Sequence, residues 1–278
     1  MKTVLGIDVG GSTTKIVGFD KNGQLIAPIY VKANDQLTSI YGAFGKFTTI
    51  NSIALCDIEK IMVTGVGSTF VNTPIYGIDC EHVKEFPCIG KGGLFLSGLD
   101  EAIVVSMGTG TALVHAERGK KTEYLGGTGV GGGTLLGLSE KLIGVRNIEH
   151  IKEMALDGDL SKVDLRVSDI TKTDVHPDIA PDLTASNFGK ISDVASKSDL
   201  ALGVINMIFE TVAMMSVFAA RSYKTKNIVL TGNMTSIPQA KTIFASMNDL
   251  FDLNFIIPDK ARFGTVIGAA LSGLADKH

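Results

Sequence analysis

The sequence predicts an α/β protein built from two lobes that share one core plan. Strand, glycine turn, strand and hairpin follow one another over residues 4–31, and a similar series recurs over residues 102–119. Segments with the apolar spacing of helices alternate with these strands. Because recurrence of one supersecondary plan indicates an internal repeat, we place the first lobe at residues 1–98 and the second at residues 99–278.

In the first lobe, alternating apolar residues and turn residues predict three strands and one early helix. The strands are expected at residues 4–9, 14–19 and 24–31, with turns at Gly10-Gly11-Ser12 and Asn22-Gly23, and the helix at residues 38–47. A further strand ends in a glycine turn at Gly65. We expect an irregular segment around residues 73–85 and then a helix at residues 88–97.

In the second lobe, a strand at residues 102–106 leads into a turn at residues 108–111 and a hairpin at Arg118-Gly119. A glycine run at residues 126–134 is followed by leucines at helical spacing. Residues 157–181 are polar and predict loops with short helical pieces. The end returns to strand, helix, strand and helix at residues 227–230, 238–247, 251–257 and 264–274.

Composition limits the classes of partner. The 278 residues are 45% hydrophobic, so the chain can bury a sizeable core. Its 26 basic and 29 acidic residues are mixed along the chain, with a net charge of −3, which argues against nucleic acid or an anionic membrane as a partner. Residues 200–220 are apolar, but Asn206, Glu210 and Arg221 interrupt or bound them, so we expect a core or dimer-interface helix rather than a membrane span.

Cysteine usage and the N-terminus indicate a cytoplasmic protein. Cys56, Cys80 and Cys88 are odd in number and none has CxxC spacing, so we interpret them as structural thiols of a reducing compartment. The chain reaches Asp8 without the apolar stretch and cleavage site of a signal peptide. The five histidines, among them His82 and His115, lack metal-like spacing.

The strongest chemical signal is the segment Asp8-Val9-Gly10-Gly11-Ser12-Thr13-Thr14-Lys15. Glycines let the backbone approach phosphate oxygens, Lys15 offsets charge that develops during phosphoryl transfer, and Asp8 can hold Mg²⁺ through water. A hairpin with an incidental charged pair stays open as the alternative for this motif alone. The absence of GxxxxGK[ST], and a hairpin rather than a helix after the glycines, exclude a Walker loop and a dinucleotide fingerprint.

Two further glycine segments strengthen the nucleotide interpretation. Gly108-Thr109-Gly110-Thr111 repeats a turn in the second lobe, and the run at residues 126–134 opens a helix. A glycine run at a helix start presents free backbone N–H groups to an anion. A nucleotide held between two lobes needs phosphate-binding turns from both, and the sequence offers three such turns.

Five segments, taken in order, resemble the successive signatures of the type II pantothenate kinases. They are Asp8-x-Gly10-Gly11-Ser12-x-x-Lys15, Gly108-Thr109-Gly110-Thr111, Gly131-Gly132-Gly133-Thr134, Asp182-Leu183-Thr184-Ala185-Ser186-Asn187-Phe188-Gly189 and Phe263-Gly264-Thr265-Val266-Ile267-Gly268-Ala269. The first is shared with sugar kinases, actin and heat-shock chaperones; the fourth is the more family-specific. The resemblance implies a two-lobed actin-like ATPase fold with duplicated ribonuclease H-like lobes and the nucleotide in the interlobe cleft.

The resemblance also implies function and roles. It implies ATP- and Mg²⁺-dependent phosphorylation of the small molecule pantothenate, the first step of coenzyme A biosynthesis, by a homodimer with coenzyme A or its thioester as a feedback ligand. Glu85 would be the general base. The nucleotide would contact Asp8, Gly10, Gly11, Ser12, Thr13, Lys15, Thr109, Gly132, Gly133, Thr134 and Asn233, and the acceptor would contact Glu85, Thr111 and Tyr124.

The chain departs from the family at the acceptor side. Family members place an arginine that contacts pantothenate where this chain has Tyr124, and Pro87-Cys88-Ile89-Gly90 replaces the acidic and small residues expected after Glu85-Phe86. A tyrosine hydroxyl lacks the charge and forked donors of a guanidinium, so acceptor recognition should differ. Asp182 and Asn187 are interpreted as residues that fix loop geometry, with substrate contact as the alternative.

Three alternatives stay open. The chain could be a kinase of another small hydroxyl compound, an ATP-binding regulator, or the ATPase activator of a radical dehydratase. Such activators hold an iron–sulfur cluster between subunits through cysteines next to a glycine turn. Cys56, Cys80 and Cys88 do not lie beside the turns at Gly108 or Gly126, which disfavours the activator.

Overall fold

The structure is a computed structural model that describes residues 2–32, 35–171 and 183–274. Its main strands form two five-stranded sheets. The first sheet contains β1 (Thr3–Val9), β2 (Thr13–Phe19), β3 (Leu25–Lys32), β4 (Ile58–Thr64) and β5 (Cys80–His82). The second sheet contains β6 (Glu101–Met107), β7 (Thr111–Glu117), β8 (Glu123–Thr128), β11 (Asn227–Thr231) and β12 (Asn254–Ile256), while β9 (Leu165–Arg166) pairs separately with β10 (Thr184–Ser186).

The two large sheets have the same topology. The strand order is β3-β2-β1-β4-β5 in the first sheet and β8-β7-β6-β11-β12 in the second. In each, three antiparallel strands form a meander and the later strands join in parallel. The predicted repeat of one core plan is therefore confirmed. Sequence patterns missed β5, because three residues that lie partly exposed at a sheet edge give no alternating signal.

Helices fill the connections between strands. They are α1 (Gln36–Ile50), α2 (Glu85–Ser97), α3 (Gly132–Ile143), α4 (Ile148–Met154), α5 (Val167–Ile170), α6 (Lys197–Tyr223), α7 (Gln239–Phe251) and α8 (Gly264–Ser272). Two predicted boundaries were wrong. Helix α2 begins at Glu85, three residues before the predicted start, and α7 continues to Phe251, where a strand was expected. Asp252 ends α7 in the left-handed conformation, so β12 starts only at Asn254.

The long helix α6 belongs to the core of the second lobe. Within the described residues it is the one helix long and apolar enough to cross a membrane, and most of its apolar stretch is buried inside the protein. Ile205, Phe209 and Val212 pack with Ile103 and Val105 of the second sheet. This burial agrees with the predicted core helix.

Two helices lie between the sheets, and each covers the sheet formed by the other half of the chain. Helix α8, at the end of the sequence, packs Val266 and Ile267 against Val17 and Phe19 of the first sheet. Helix α2, from the first half, packs Ile89 against Val104 of the second sheet. Each helix therefore packs on the sheet of the other predicted lobe, so the course of the chain does not test the domain boundary at residue 98, which stays a prediction.

Helices α2 and α8 touch through their backbones. A Cβ atom added to Gly92 would lie 1.8 Å from the carbonyl oxygen of Gly264, and one added to Gly268 would lie 1.9 Å from that of Cys88. Only glycine fits such contacts, since close packing leaves no room for a methyl group. This crossing brings the first turn of α2, which carries Glu85, next to the first sheet.

Candidate active site

A row of polar residues crosses the first sheet at the face covered by α8. In the register of the sheet, Asp8 of β1 lies opposite Lys15 of β2 and Thr64 of β4, and Lys15 lies opposite Tyr30 of β3. Directly paired residues share one face of a sheet. Asp8 and Lys15 are 8% and 7% exposed, and the Lys15 Nζ lies 3.9 Å from the Asp8 Oδ2. The predicted carboxylate and ammonium therefore meet at the cleft face.

Burial dominates the electrostatics of this pair. Desolvation raises the pKa of Asp8, and the positive charge of Lys15 opposes that effect. Desolvation lowers the pKa of Lys15, and the negative charge of Asp8 opposes that effect. A separation of 3.9 Å is long for a hydrogen-bonded ion pair. Both groups therefore retain capacity to interact with a ligand.

Turns from the two lobes face each other across the cleft. The first turn closes with the Gly10 N–H donating to the Thr13 carbonyl at 3.0 Å. A Cβ atom at Gly11 would lie 3.8 Å from the Thr109 Oγ1, and the Asn233 Nδ2 donates to the Thr13 Oγ1 at 3.3 Å. The structure thus brings together three of the predicted phosphate-side segments.

The sequence analysis did not assign Gly65 and Gly232 to the site. Gly65 directly follows β4 and Gly232 directly follows β11, the corresponding strands of the two sheets. They have φ values of 90° and 94°, a left-handed region that favours glycine. A Cβ atom at Gly65 would lie 2.6 Å from the Asp8 Oδ1, and one at Gly232 would lie 2.4 Å from the Met107 carbonyl oxygen. The available signal was the Thr-Gly pair that ends a predicted strand in each half.

The expectation of free amides at the start of α3 was wrong for two residues. The Gly132 N–H donates to the Gly108 carbonyl at 2.9 Å, and the Gly133 N–H donates to the Thr109 carbonyl at 2.8 Å. The Thr134 Oγ1 donates to the Gly129 carbonyl at 2.9 Å. The two glycine amides hold the turn at residues 108–110, because the Gly108 and Thr109 carbonyl oxygens accept from them, while the Thr134 hydroxyl holds the glycine run itself. Nucleotide contacts of Gly132, Gly133 and Thr134 stay a prediction.

Glu85 lies beside the charged row. It is the first residue of α2 and is half-buried. Burial raises the pKa of Glu85, the negative charge of Asp8 raises it further, and the positive charge of Lys15 opposes both. The structure therefore brings the predicted base within electrostatic reach of Asp8 and Lys15, which are 77 and 70 positions away in the sequence.

An aromatic pair stands next to Glu85. The rings of Phe86 and Tyr124 stack with centroids 3.9 Å apart and an angle of 13° between their planes. Tyr124 is 48% exposed, so part of its ring is open to solvent. Thr111, the other predicted acceptor contact, is buried, and its Oγ1 donates to the Val130 carbonyl at 2.8 Å. That hydroxyl holds the glycine run in place.

The family-specific segment is attached to α6. The Asn187 Nδ2 and the Thr184 Oγ1 each donate to one carboxylate oxygen of Glu210, at 2.8 and 2.7 Å. The Phe188 N–H donates to the Asp164 Oδ1. These contacts support the loop-fixing interpretation of Asn187, whereas Asp182 lies outside the described residues.

The cysteines are dispersed. Cys56 is exposed, Cys80 is half-buried and Cys88 is buried, where desolvation raises the pKa of its thiol to about 11. Across residues 2–32, 35–171 and 183–274, no group of three or more histidine, cysteine, aspartate or glutamate side chains could hold a metal ion. The described residues therefore offer no cysteine cluster for iron–sulfur chemistry.

The family model described as Fumble matches residues 101–249. Type II pantothenate kinases of Staphylococcus aureus (strain USA300) and Staphylococcus saprophyticus are 33% and 31% identical to this chain over 239 and 240 residues. In both cases the match covers 82% of this chain and 84% of the relative.

A solved structure shares the whole fold. The activator of the 2-hydroxyisocaproyl-CoA dehydratase from Clostridium difficile, with bound ADPNP, superimposes with a TM-score of 0.66 at 17% identity. The superposition covers 97% of this chain and 93% of that chain. The duplicated lobes and their facing turns define an actin-like ATPase fold. Within that class, the chain belongs to the type II pantothenate kinase family.

Proposed function

We propose that this protein transfers the γ-phosphoryl group of ATP to the primary hydroxyl of pantothenate, the first step of coenzyme A biosynthesis. The observation that carries the proposal is the convergence of Glu85 with Asp8 and Lys15 beside the facing turns of two lobes. Relatives at 31–33% identity are named type II pantothenate kinases, which supports this acceptor.

In the proposed mechanism, Glu85 accepts the proton of the attacking hydroxyl. Burial and the charge of Asp8 raise the pKa of Glu85, which makes its carboxylate a better proton acceptor than an ordinary surface carboxylate. Lys15 stabilises the charge that develops on the transferred phosphoryl group. The backbone and hydroxyls of Gly10, Gly11, Ser12 and Thr13, with Thr109 and Asn233 from the other lobe, would orient the phosphates.

Asp8 is suited to a magnesium ion that accompanies the nucleotide. Mg²⁺ usually keeps several waters and takes one or two carboxylates together with substrate phosphates. A single buried carboxylate, 3.9 Å from Lys15 and beside the first phosphate turn, fits that demand. When bound, the ion would neutralise charge on the β- and γ-phosphates. Asp8 would hold its hydration shell.

An aromatic pair replaces a charged residue on the proposed acceptor side of the site. Tyr124 stands where relatives would have an arginine, and its ring stacks on Phe86 beside Glu85. A flat aromatic wall favours an apolar portion of the acceptor near the reacting hydroxyl. Because of this substitution, a kinase of another small primary alcohol is the second candidate.

An assay of ADP release by the purified protein with ATP and Mg²⁺ separates the two candidates. We expect release to rise by at least tenfold on addition of pantothenate, since transfer to a positioned alcohol is far faster than transfer to water. Pantothenol, in which a hydroxymethyl group replaces the carboxylate, and other small primary alcohols serve as comparison acceptors. Stimulation by another alcohol but not by pantothenate would favour the second candidate.

The quaternary structure and location are parts of the same proposal. Met207, Thr211, Met214 and Phe218 follow one another at helical spacing on the side of α6 that is not fully buried, and Phe218 is 59% exposed. A second copy would cover this stripe, so we propose a homodimer. We also propose a cytoplasmic location and coenzyme A or its thioester as a feedback ligand, as the family resemblance implies. Static light scattering that gives a monomer mass would contradict the dimer.

A further inference from the structure

Arg262 occupies a place in the cleft that neither the motifs nor the proposed mechanism uses. It lies in the short turn Ala261–Phe263 immediately before α8. Its guanidinium carbon lies 4.0 Å from the centroid of the Tyr30 ring. Because Tyr30 is the cross-strand partner of Lys15, Arg262 stands above the same polar row that contains Lys15 and Asp8.

Among the residues that the structure describes, the Arg262 guanidinium has no acceptor. It makes no hydrogen bond or ion pair with any residue in the described ranges, and its Nε is buried without a partner. Elsewhere in the chain, Arg118 and Arg146 each donate to a carboxylate, at 2.6 and 2.7 Å. A buried donor without an acceptor is costly, so an unpaired guanidinium at a cleft needs an explanation.

Arg262 and Lys15 also repel each other. Burial lowers the pKa of Lys15 most, the negative charge of Asp8 raises it, and the positive charge of Arg262 lowers it by a smaller amount. Two cations on one side of a cleft are unfavourable until an anion lies between them. An oxyanion bound there would accept hydrogen bonds from the guanidinium and remove the repulsion at the same time.

We propose that Arg262 binds an oxyanion of the bound substrates beside Lys15. The inference rests on the proposed function and adds a specificity-determining residue to it. The oxyanion is either the carboxylate of the acceptor or the γ-phosphoryl group of ATP. In the first case Arg262, which stands over Tyr30 of the first sheet, supplies the charge and forked donors that Tyr124 of the second sheet lacks.

The contact with Tyr30 favours a role in recognition. A guanidinium whose central carbon lies 4.0 Å from the centroid of a tyrosine ring is restrained by the cation–π contact, so its N–H groups keep a preferred direction. Lysine offers a point charge without that fork. The Arg262→Lys variant therefore separates charge from geometry, and the Arg262→Met variant removes the charge and keeps an apolar chain to cover Tyr30.

Arg221 provides the matched control. Its guanidinium carbon lies 5.6 Å from the centroid of the Phe251 ring, on the exposed end of α6. The Arg221→Met variant thus removes an arginine that contacts an aromatic ring outside the cleft. Thermal midpoints of all variants are measured first, and kinetics are compared for variants that remain folded at the assay temperature.

The test measures kcat and KM for ATP with two acceptors, pantothenate and pantothenol. If Arg262 binds the acceptor carboxylate, Arg262→Met lowers kcat/KM for pantothenate by about tenfold or more and changes that for pantothenol by less than about threefold. If it binds the γ-phosphoryl group, both fall by about tenfold or more, through kcat or the KM for ATP. Arg262→Lys should recover only part of either loss.

The inference is overturned if Arg262→Met and Arg221→Met have the same kinetic constants for both acceptors. Failure of the proposed function looks different, because wild-type protein then shows no acceptor-stimulated ADP release. In that event, calorimetric titrations with ATP and with pantothenate take the place of kinetics. Weaker binding of either ligand to Arg262→Met than to Arg221→Met would support the oxyanion role, and equal binding of both would overturn it.

Discussion

Replacement of Glu85 by glutamine lowers kcat by about 10²- to 10⁴-fold, the usual contribution of a positioned general base. The amide has nearly the same shape but cannot accept the proton of the attacking hydroxyl. Since the proposed role of Glu85 concerns the acceptor hydroxyl and not the nucleotide, we expect the variant to bind ATP with wild-type affinity. Steady-state ADP release and calorimetric titration with ATP measure the two quantities.

The pH profile distinguishes a base from a structural carboxylate. Burial and Asp8 raise the pKa of Glu85, and the base form exists only above that pKa. Wild-type kcat/KM for the acceptor should therefore fall as the pH drops, with a midpoint above the ordinary glutamate value of about 4.3. The residual rate of Glu85→Gln should lack this acid limb, and a limb that persists in the variant would contradict the role.

Glu81 supplies a matched control for the glutamate substitution. It lies four residues earlier, on β5, and forms an exposed ion pair with Lys60 at 3.1 Å. Surface pairs of this kind contribute little to stability, about 0–1 kcal/mol. Glu81→Gln should keep wild-type kinetics. A loss of kcat as large as that of Glu85→Gln would show that charge removal in this region, rather than loss of the base, explains the result.

The Gly92→Ala substitution is expected to lower the free energy of unfolding by about 3 kcal/mol or more, at the upper end of overpacking effects. The new methyl carbon would lie 1.8 Å from the Gly264 carbonyl oxygen, which belongs to backbone and cannot rotate away. Helices α2 and α8 would have to separate, and the contacts of both sheets with them would loosen. Denaturant unfolding monitored by circular dichroism gives the difference.

Gly137 in α3 is the control for this prediction. A Cβ atom there meets no other atom within 4 Å. Gly137→Ala should therefore stabilise the protein, by about 0.5–1 kcal/mol, through the helix propensity of alanine. Equal free energies of unfolding for Gly92→Ala and Gly137→Ala would contradict the close backbone contact between α2 and α8.

Local sequence patterns predicted most of the elements and three of the site's turns. Alternating residues around Asp8 and Lys15 are enough to place both on one face of a hairpin, because side chains in a strand repeat every second residue. Glycine turns after strands are equally local signals. The repeat of these patterns in both halves predicted the duplicated topology that the sheets have.

Other features depend on contacts between distant segments and have no local signal. The exchange of α2 and α8 between the sheets follows from the packing of Gly92 on Gly264, which are 172 positions apart. The same packing brings Glu85 to the cleft; only the family resemblance had pointed to that residue. Arg262 was missed because a single arginine two residues before a glycine carries no pattern. The amides of Gly132 and Gly133 proved to be occupied by the neighbouring turn.

Detection of phosphorylated pantothenate shows whether the protein transfers a phosphoryl group to pantothenate. Purified protein is incubated with ATP, Mg²⁺ and pantothenate, and both products are quantified by mass spectrometry. We expect one phosphorylated pantothenate for each ADP formed, and with Glu85→Gln we expect both products to form about 10²- to 10⁴-fold more slowly. ADP without phosphorylated pantothenate, or ATP binding without turnover, would contradict this transfer.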